Sequence, residues 1–207
     1  MSRVLLALAL LSAPAFADTP ITLVSQKTAS VGTVKATVDV SGANIDPAVF
    51  AKTLLDCANY PMTATYLNVP ALTECTTLEG GRGDGRSVIY QRTGAKWPVS
   101  ERQYVIALKI DELSADKAVV SWGLVQHQRG EDGTFSGPWA STLNKHPDAV
   151  YTPYNTGSWT YDKTKGTVVY TATSDPGGSI PSAFVSESAA MAFPKELLRV
   201  KFGVVVP

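Results

Sequence analysis

The sequence is poor in charge, in cysteine and in histidine, and it has no long hydrophobic run. Charged residues fill 17% of the 207 positions, and 18 basic side chains balance 18 acidic ones. A formal net charge of zero argues against a nucleic-acid binder, which normally carries a basic face to displace phosphate counterions. Nor does it suggest a polybasic membrane-surface protein. The two histidines, His127 and His146, and the two cysteines, Cys57 and Cys75, show neither CxxC nor HxxxH spacing, which argues against a zinc site. No GxGxxG, P-loop, HExxH or GxSxG pattern occurs. What remains is a 44% hydrophobic chain, too apolar for disorder and of the length of one domain with a core of its own.

The first residues, MSRVLLALALLSAPAFA, place Arg3 before an apolar run from Val4 to Leu11. Ala15-Phe16-Ala17 then forms a small-x-small cleavage site. Residues 1–17 are therefore expected to be a signal peptide and residues 18–207 the exported domain, periplasmic or secreted and soluble. A buried N-terminal helix is the alternative, but Ser12, Ala13 and Pro14 break the run, which falls short of the ~20 residues a membrane span needs. Asp18, not a cysteine, stands directly after Ala17, which speaks against a lipid anchor there. An oxidising compartment permits Cys57 and Cys75 to pair, and the bridge would contribute on the order of 3 kcal/mol; two separately buried thiols are the other reading.

Residues 21–26 and Thr33–Val40 have strand character, and in the second stretch Val34, Ala36, Val38 and Val40 share a face. Asp46-Pro47 predicts a helix start, with Val49, Phe50, Thr53, Leu54 and Cys57 as its apolar face. Strands are expected over Thr65–Leu78, Ser87–Arg92, Arg102–Ile110, Lys117–Gln128, Ser158–Asp162 and Thr167–Ser174, separated by turn compositions. The Arg82-Gly83-Asp84 triplet, set among glycines, reads as a hairpin tip. A last helix is expected from Pro181, with Phe184, Ser188, Met191, Leu198 and Phe202 on one stripe, Lys195 interrupting it and Pro194 kinking it. A large antiparallel sheet with one long terminal helix is an α+β plan.

Two segments resemble the START family of lipid-transfer domains. One is YQRTGAKWPVSERQYV, Tyr90–Val105, and the other is DPGGSIPSAFV, Asp175–Val185. The family reads as Trp-Pro-x-Ser-x-Arg-Asp-aromatic-Val, then Asp-Pro-x-Gly-x-Ile-Pro before the last helix. The likeness spans roughly residues 21–203. It implies a helix-grip fold: a curved antiparallel sheet around the C-terminal helix, with an internal apolar cavity for a lipid, a sterol or another hydrophobic molecule. Gln103 stands where the family's Asp follows the Arg, Leu108 where some sterol carriers place an arginine, Tyr151 where a Val-Arg pair is common, and Ser186 where Asn is usual. Each change removes a charge or an amide and favours a neutral ligand.

Alternation selects the cavity wall. Tyr104, Ile106, Leu108 and Ile110 share one face, and Lys109 marks the opposite face, with Val105 and Ala107, as partly wet. Val120, Trp122 and Leu124 share a face on the next strand, and Tyr90 and Tyr170 are expected to border the same space. Phe184, Ser188 and Met191 supply the helix side. Ordinary core packing requires the same residue types. Arg102 shares the inward phase, where a charge is costly unless paired, so it is expected at a mouth or beside a carboxylate such as Asp175 or Glu187.

For catalysis, His127 and His146 lie in hydrophilic stretches and read as solvated loop residues, and Ser179 and Ser182 have no nucleophile elbow. The leading expectation is a non-enzymatic carrier without cofactor or metal, whose partners are a hydrophobic ligand and transiently a membrane, with no nucleic acid. A polyketide cyclase or aromatase-like enzyme using Tyr90, Tyr104 or Arg102 in the same cavity is one alternative. An interaction module with a vestigial cavity is another. The C-terminal helix and the loop 175–180 are the expected gate.

Overall fold

A proline cannot donate a backbone hydrogen bond, so it suits the first turn of a helix, and an aspartate before it can accept from the turn that follows. Asp46-Pro47 does this: the Asp46 carboxylate accepts from the Val49 amide at 2.9 Å and opens α1, Pro47–Leu54. The computed structural model describes residues 32–66, 68–94, 99–178 and 187–204. The expected signal peptide, the strand at 21–26, Trp97-Pro98 and the stretch Ile180–Ser186 lie outside them.

Ahead of α1 runs β1 (Gly32–Asp39); after it come a 3-10 turn (Cys57–Asn59) and two short strands, β2 (Thr65–Tyr66) and β3 (Val69–Pro70). The long strands β4 (Glu74–Gly80), β5 (Arg86–Thr93), β6 (Arg102–Leu113) and β7 (Lys117–Leu124) follow. Next are β8 (Gln128–Arg129), β9 (Phe135–Ser136), α2 (Ala140–Leu143) and β10 (Val150–Tyr151). The chain then forms β11 (Tyr154–Asp162), β12 (Thr167–Asp175) and α3 (Glu187–Phe202).

Seven strands build one antiparallel sheet in the order β1-β12-β11-β7-β6-β5-β4, and β10 adds parallel to the start of β6 as its eighth member. Register shifts at Thr77/Glu79 and at Ile110/Glu112 are bulges, which bend the strands that carry them. One face of the sheet holds the main core. Phe50, Ala51, Leu54 and Leu55 at and just after α1, and Leu197 and Leu198 on α3, all at most 1% exposed, pack there with Ile89, Val120, Trp159, Tyr161 and Val168. Complete burial of a side chain the size of Phe50 is worth about 1.5–3 kcal/mol. α3 runs through Pro194 and ends at Gly203, whose φ of 68° is the left-handed stop that glycine accepts most readily.

Several expectations are corrected. The helix at Pro47 ends at Leu54, Val49 is 55% exposed, and Ala51 takes its place on the buried side. The expected strand Thr65–Leu78 is broken: Asn68 adopts φ 63° between β2 and β3, and only β4 joins the main sheet. The strand from Lys117 stops at Leu124, and Gln128 belongs to a separate two-stranded ribbon with β9. The face of β6 that Lys109 marks as partly wet is exposed at Lys109 and covered nearer the start of the strand. Val105 and Ala107 pack with Val88, Tyr90, Phe135, Ala140 and Leu143 in a second core, roofed by β9 and α2.

Candidate functional site

Directly paired residues of adjacent strands share a face, so the register fixes the inner wall. Ala36, Tyr170, Trp159, Val120 and Ile110 form one row across β1, β12, β11, β7 and β6. Val34, Ala172, Gly157, Trp122 and Leu108 form the next. Ile106 pairs with Ile89 and Leu124, and Tyr104 with Gln91. Tyr104, Ile106, Leu108, Val120, Trp122 and Tyr170 thus stand together on the face that α1 and α3 cover. Met191 of α3 is buried as well. Phe184 lies outside the described residues, and so does the side chain of Ser188, whose backbone belongs to α3.

Tyr90 is a correction. It pairs with Val105, not with Tyr104, so its ring points to the opposite side of the sheet and joins the second core. Its hydroxyl donates to the Gln103 side-chain oxygen at 3.1 Å.

At the centre of the inner wall the aromatic rings interlock. Tyr170 stacks on Trp122 at 5.7 Å between centroids and meets Trp159 at 4.6 Å. Gly157 makes this arrangement fit, since a Cβ there would collide with the Trp122 indole and the Thr171 carbonyl. The Trp122 indole N–H donates to Asn155 Oδ1 at 3.0 Å. Because an indole only donates, this bond leaves the Asn155 NH₂ free to turn to the neighbouring Tyr104 hydroxyl. Burial pushes the Tyr104 phenol well above its ordinary pKa, an effect that Asn155 partly offsets. Burial also raises Tyr170, with Tyr104 adding to it, and raises Tyr60, whose hydroxyl donates to the Leu54 carbonyl at 2.7 Å. The Tyr60 ring meets Phe193 of α3 at 5.0 Å.

Arg102 sits at the end of this wall, 6% exposed. Its guanidinium donates to the carbonyls of Pro176 at 3.3 Å and Gly177 at 3.1 Å, and to that of Ser100. It therefore grips the chain on its way to α3, and burial lowers its pKa. Asp175 accepts from the Gly177 amide at 2.9 Å in the same loop. Gly177 has φ 68°, and a Cβ there would press on the Tyr151 carbonyl at 2.9 Å.

Cys57 and Cys75 form a disulfide with Cα atoms 5.6 Å apart, tying the 3-10 turn to the edge strand β4. The Arg82 guanidinium of the hairpin tip meets Asp56 at 2.9 Å and Asn59 at 3.0 Å. The histidines are not loose loop residues. His127 is held between the Val125 and Pro138 carbonyls at 2.9 and 2.6 Å. His146 stacks on Tyr90 and meets Glu74 at 2.9 Å.

Sequence reasoning missed Trp159, Asn155 and Tyr60. The first two lie on β11, which begins at Tyr154 rather than Ser158; extending the alternation of Trp159 and Tyr161 backward would have reached Asn155. Tyr60 sits in a loop, where periodicity carries no signal.

No family model matches the chain, and neither does any curated protein. Solved structures do. A STAR-related lipid transfer protein from Xanthomonas axonopodis is 19% identical, with a TM-score of 0.53 over 85% of this chain and 95% of that one. Human STARD10 is 12% identical, with a TM-score of 0.50 over 87% and 74%. The fold is START-like: the α+β helix-grip architecture of a large antiparallel sheet and a C-terminal helix.

Proposed function

We propose that the protein binds and carries a hydrophobic small molecule or lipid between the inner face of the sheet and α3, without covalent chemistry, after export directed by residues 1–17. The observation that carries this reading is the state of Tyr104 and Tyr170. Both phenols are shifted upward by burial, yet both side chains keep accessible surface that the neighbouring Ile106, Leu108 and Val120 have lost. Interior groups that retain surface support an unfilled apolar space, and such a space is a ligand site by default. Both structural neighbours are named as lipid-transfer or START-related proteins, which agrees with the reading.

Binding is favoured over catalysis because the two histidines are tied up away from the inner wall, His146 against the second core and His127 beside Tyr151. Burying ~300 Å² of apolar ligand is worth about 7 kcal/mol before the costs of association. Access is taken to run past α3 and the loop that Arg102 grips. Hydrogen exchange in α3 should slow on loading, and equal exchange with and without ligand would move the gate elsewhere.

The deciding experiment is native mass spectrometry with solvent extraction of the mature protein purified from its own host. A co-purified hydrophobe is expected, on a chain beginning at Asp18. A protein that stays empty after incubation with a broad lipid panel would overturn the reading.

A further inference from the structure

Between its ends the inner wall carries no charge. Following the register across β1, β12, β11, β7, β6, β5 and β4, Arg102 is the single charged residue on that face among the described residues. Its guanidinium spends three of its five N–H donors on the carbonyls of Ser100, Pro176 and Gly177, at the end of the wall. A carboxylate or phosphate placed farther in, against Ile106, Leu108, Val120 and Trp122, would lose its hydration with no cation of the sheet beside it, a cost that an uncharged group escapes.

That stretch is uncharged but not wholly apolar. Tyr170 lies against the Trp122 ring, Tyr104 stands beside the Asn155 to which that indole donates, and Tyr60 meets Phe193 of α3; burial raises all three phenols. The Tyr60 proton is used on Leu54. Tyr104 has Asn155 as a neighbour, turned toward it by the Trp122 indole. Among the described residues, neither the Tyr104 nor the Tyr170 hydroxyl has an acceptor within hydrogen-bonding distance for its own proton. Neither hydroxyl is shut away: both side chains keep accessible surface, and neither oxygen is among the buried polar atoms left without a partner, so a ligand oxygen can reach their protons in place of water.

We propose that the ligand is an uncharged, largely apolar molecule with one hydroxyl or carbonyl oxygen, held at that oxygen by the hydroxyls of Tyr104 and Tyr170 while its hydrocarbon body lies along Ile106, Leu108, Val120 and Trp122. This inference rests on the binding reading above and narrows it. It places molecules with ionised headgroups outside the protein's range.

The test uses two hydrocarbon skeletons, one linear and one of fused rings: tetradecane and androstane, each compared with its alcohol, its ketone and its carboxylate. Dissociation constants come from the change in intrinsic tryptophan fluorescence of the full mature chain on titration, for wild type, Tyr104→Phe and Tyr170→Phe. The phenylalanine variants remove one oxygen each and should melt as wild type does. On at least one skeleton the alcohol or ketone should bind wild type about tenfold or more tighter than the parent hydrocarbon, the size of one or two neutral hydrogen bonds. Each variant should erase most of that preference, read as the ratio of alcohol or ketone affinity to hydrocarbon affinity within the same variant. Equal affinity for alcohol and hydrocarbon, a preference untouched by both variants, or a carboxylate that binds best would overturn the inference and leave the binding reading standing. Failure of every probe on both skeletons, together with an empty protein from the host, would overturn both.

Discussion

Gln103 and Tyr104 are neighbours in sequence and sit on opposite faces of one sheet. On the outer face the Gln103 amide is fully buried and fully matched. It accepts from Tyr90 at 3.1 Å and donates to the Leu143 and His146 carbonyls at 3.1 and 2.9 Å. Around it Glu74, Arg92, Glu101 and His146 form an ion-pair network. On the inner face Tyr104 keeps accessible surface, and its proton has no described acceptor. On the outer face Arg92 Nε is left without a hydrogen bond, but a largely satisfied polar network specifies one packing, whereas polar groups that keep surface beside apolar walls are what a ligand can complete. One face is completed by the chain's own groups, and the other is the face at which the proposed ligand would supply the missing partner.

The largest expected effect breaks both faces at once. Burial raises the phenol of Tyr90 on the outer side and those of Tyr60, Tyr104 and Tyr170 on the inner side, and pushes Tyr151 up to about 12. Below pH ~10 both folded and unfolded chains hold these protons, and stability is indifferent to them. Above it the unfolded chain releases them first, so stability falls as pH rises, by about 1.4 kcal/mol per pH unit for each such phenol. Several together exceed an ordinary folding free energy. Cooperative unfolding is expected between about pH 10 and 12, with phenolate absorbance near 295 nm rising together with the loss of circular dichroism. Gradual ionisation of most of the eight tyrosines before unfolding would contradict it.

Next in size is Gln103→Leu, which strands the Tyr90 hydroxyl and two carbonyls in the second core. At roughly 1–3 kcal/mol for each unmatched group, partly relieved by relaxation, a loss of about 4 kcal/mol is expected in denaturant unfolding. A loss below ~1 kcal/mol would mean that water replaces the amide and that the outer face is not closed. Removing the Cys57–Cys75 bridge with paired serines should cost about 3 kcal/mol and leave the second core unaffected. Thiol titration of the denatured, unreduced wild type should find no free cysteine, and two reactive thiols would refute the bridge.

The same contrast explains which parts were legible in the sequence. The cap at Asp46, the hairpin tips and the strands β1, β5, β6 and β12 are written in local chemistry: a side chain that caps, glycines that turn, residues that alternate. The inner wall of β6 was legible for the same reason. Tyr90 was not, because alternation divides a strand into two faces without saying which face matches which across to the next strand. That match depends on the Tyr90–Val105 register, set across the long connection 94–101. Lys109 marked correctly which face meets solvent but not how much of it does. The cover over Val105 and Ala107 comes from Phe135, Ala140 and Leu143, whose approach no periodicity in β6 encodes. The break at Asn68 lies in one residue's left-handed backbone, and asparagine only permits that conformation.

The smallest expected effect sharpens the comparison most. Tyr104→Phe removes a hydroxyl that the folded chain keeps among aromatic and aliphatic neighbours without an acceptor of its own. Folding of the unliganded protein already bears the cost of desolvating it, and its bond with Asn155 returns only part of that cost. Phenylalanine keeps the ring contacts, and the Asn155 amide keeps its bond to the Trp122 indole. Stability should therefore stay within about 1 kcal/mol of wild type, in contrast to the loss at the adjacent Gln103, and the alkaline transition should shift upward because one raised phenol is gone. Denaturant unfolding of ligand-free protein at pH 7 and at pH 11 reads both. A loss of ~2 kcal/mol or more at pH 7 would mean that the Tyr104 hydroxyl is bonded within a closed network, and that the inner face, like the outer one, is completed by the chain itself.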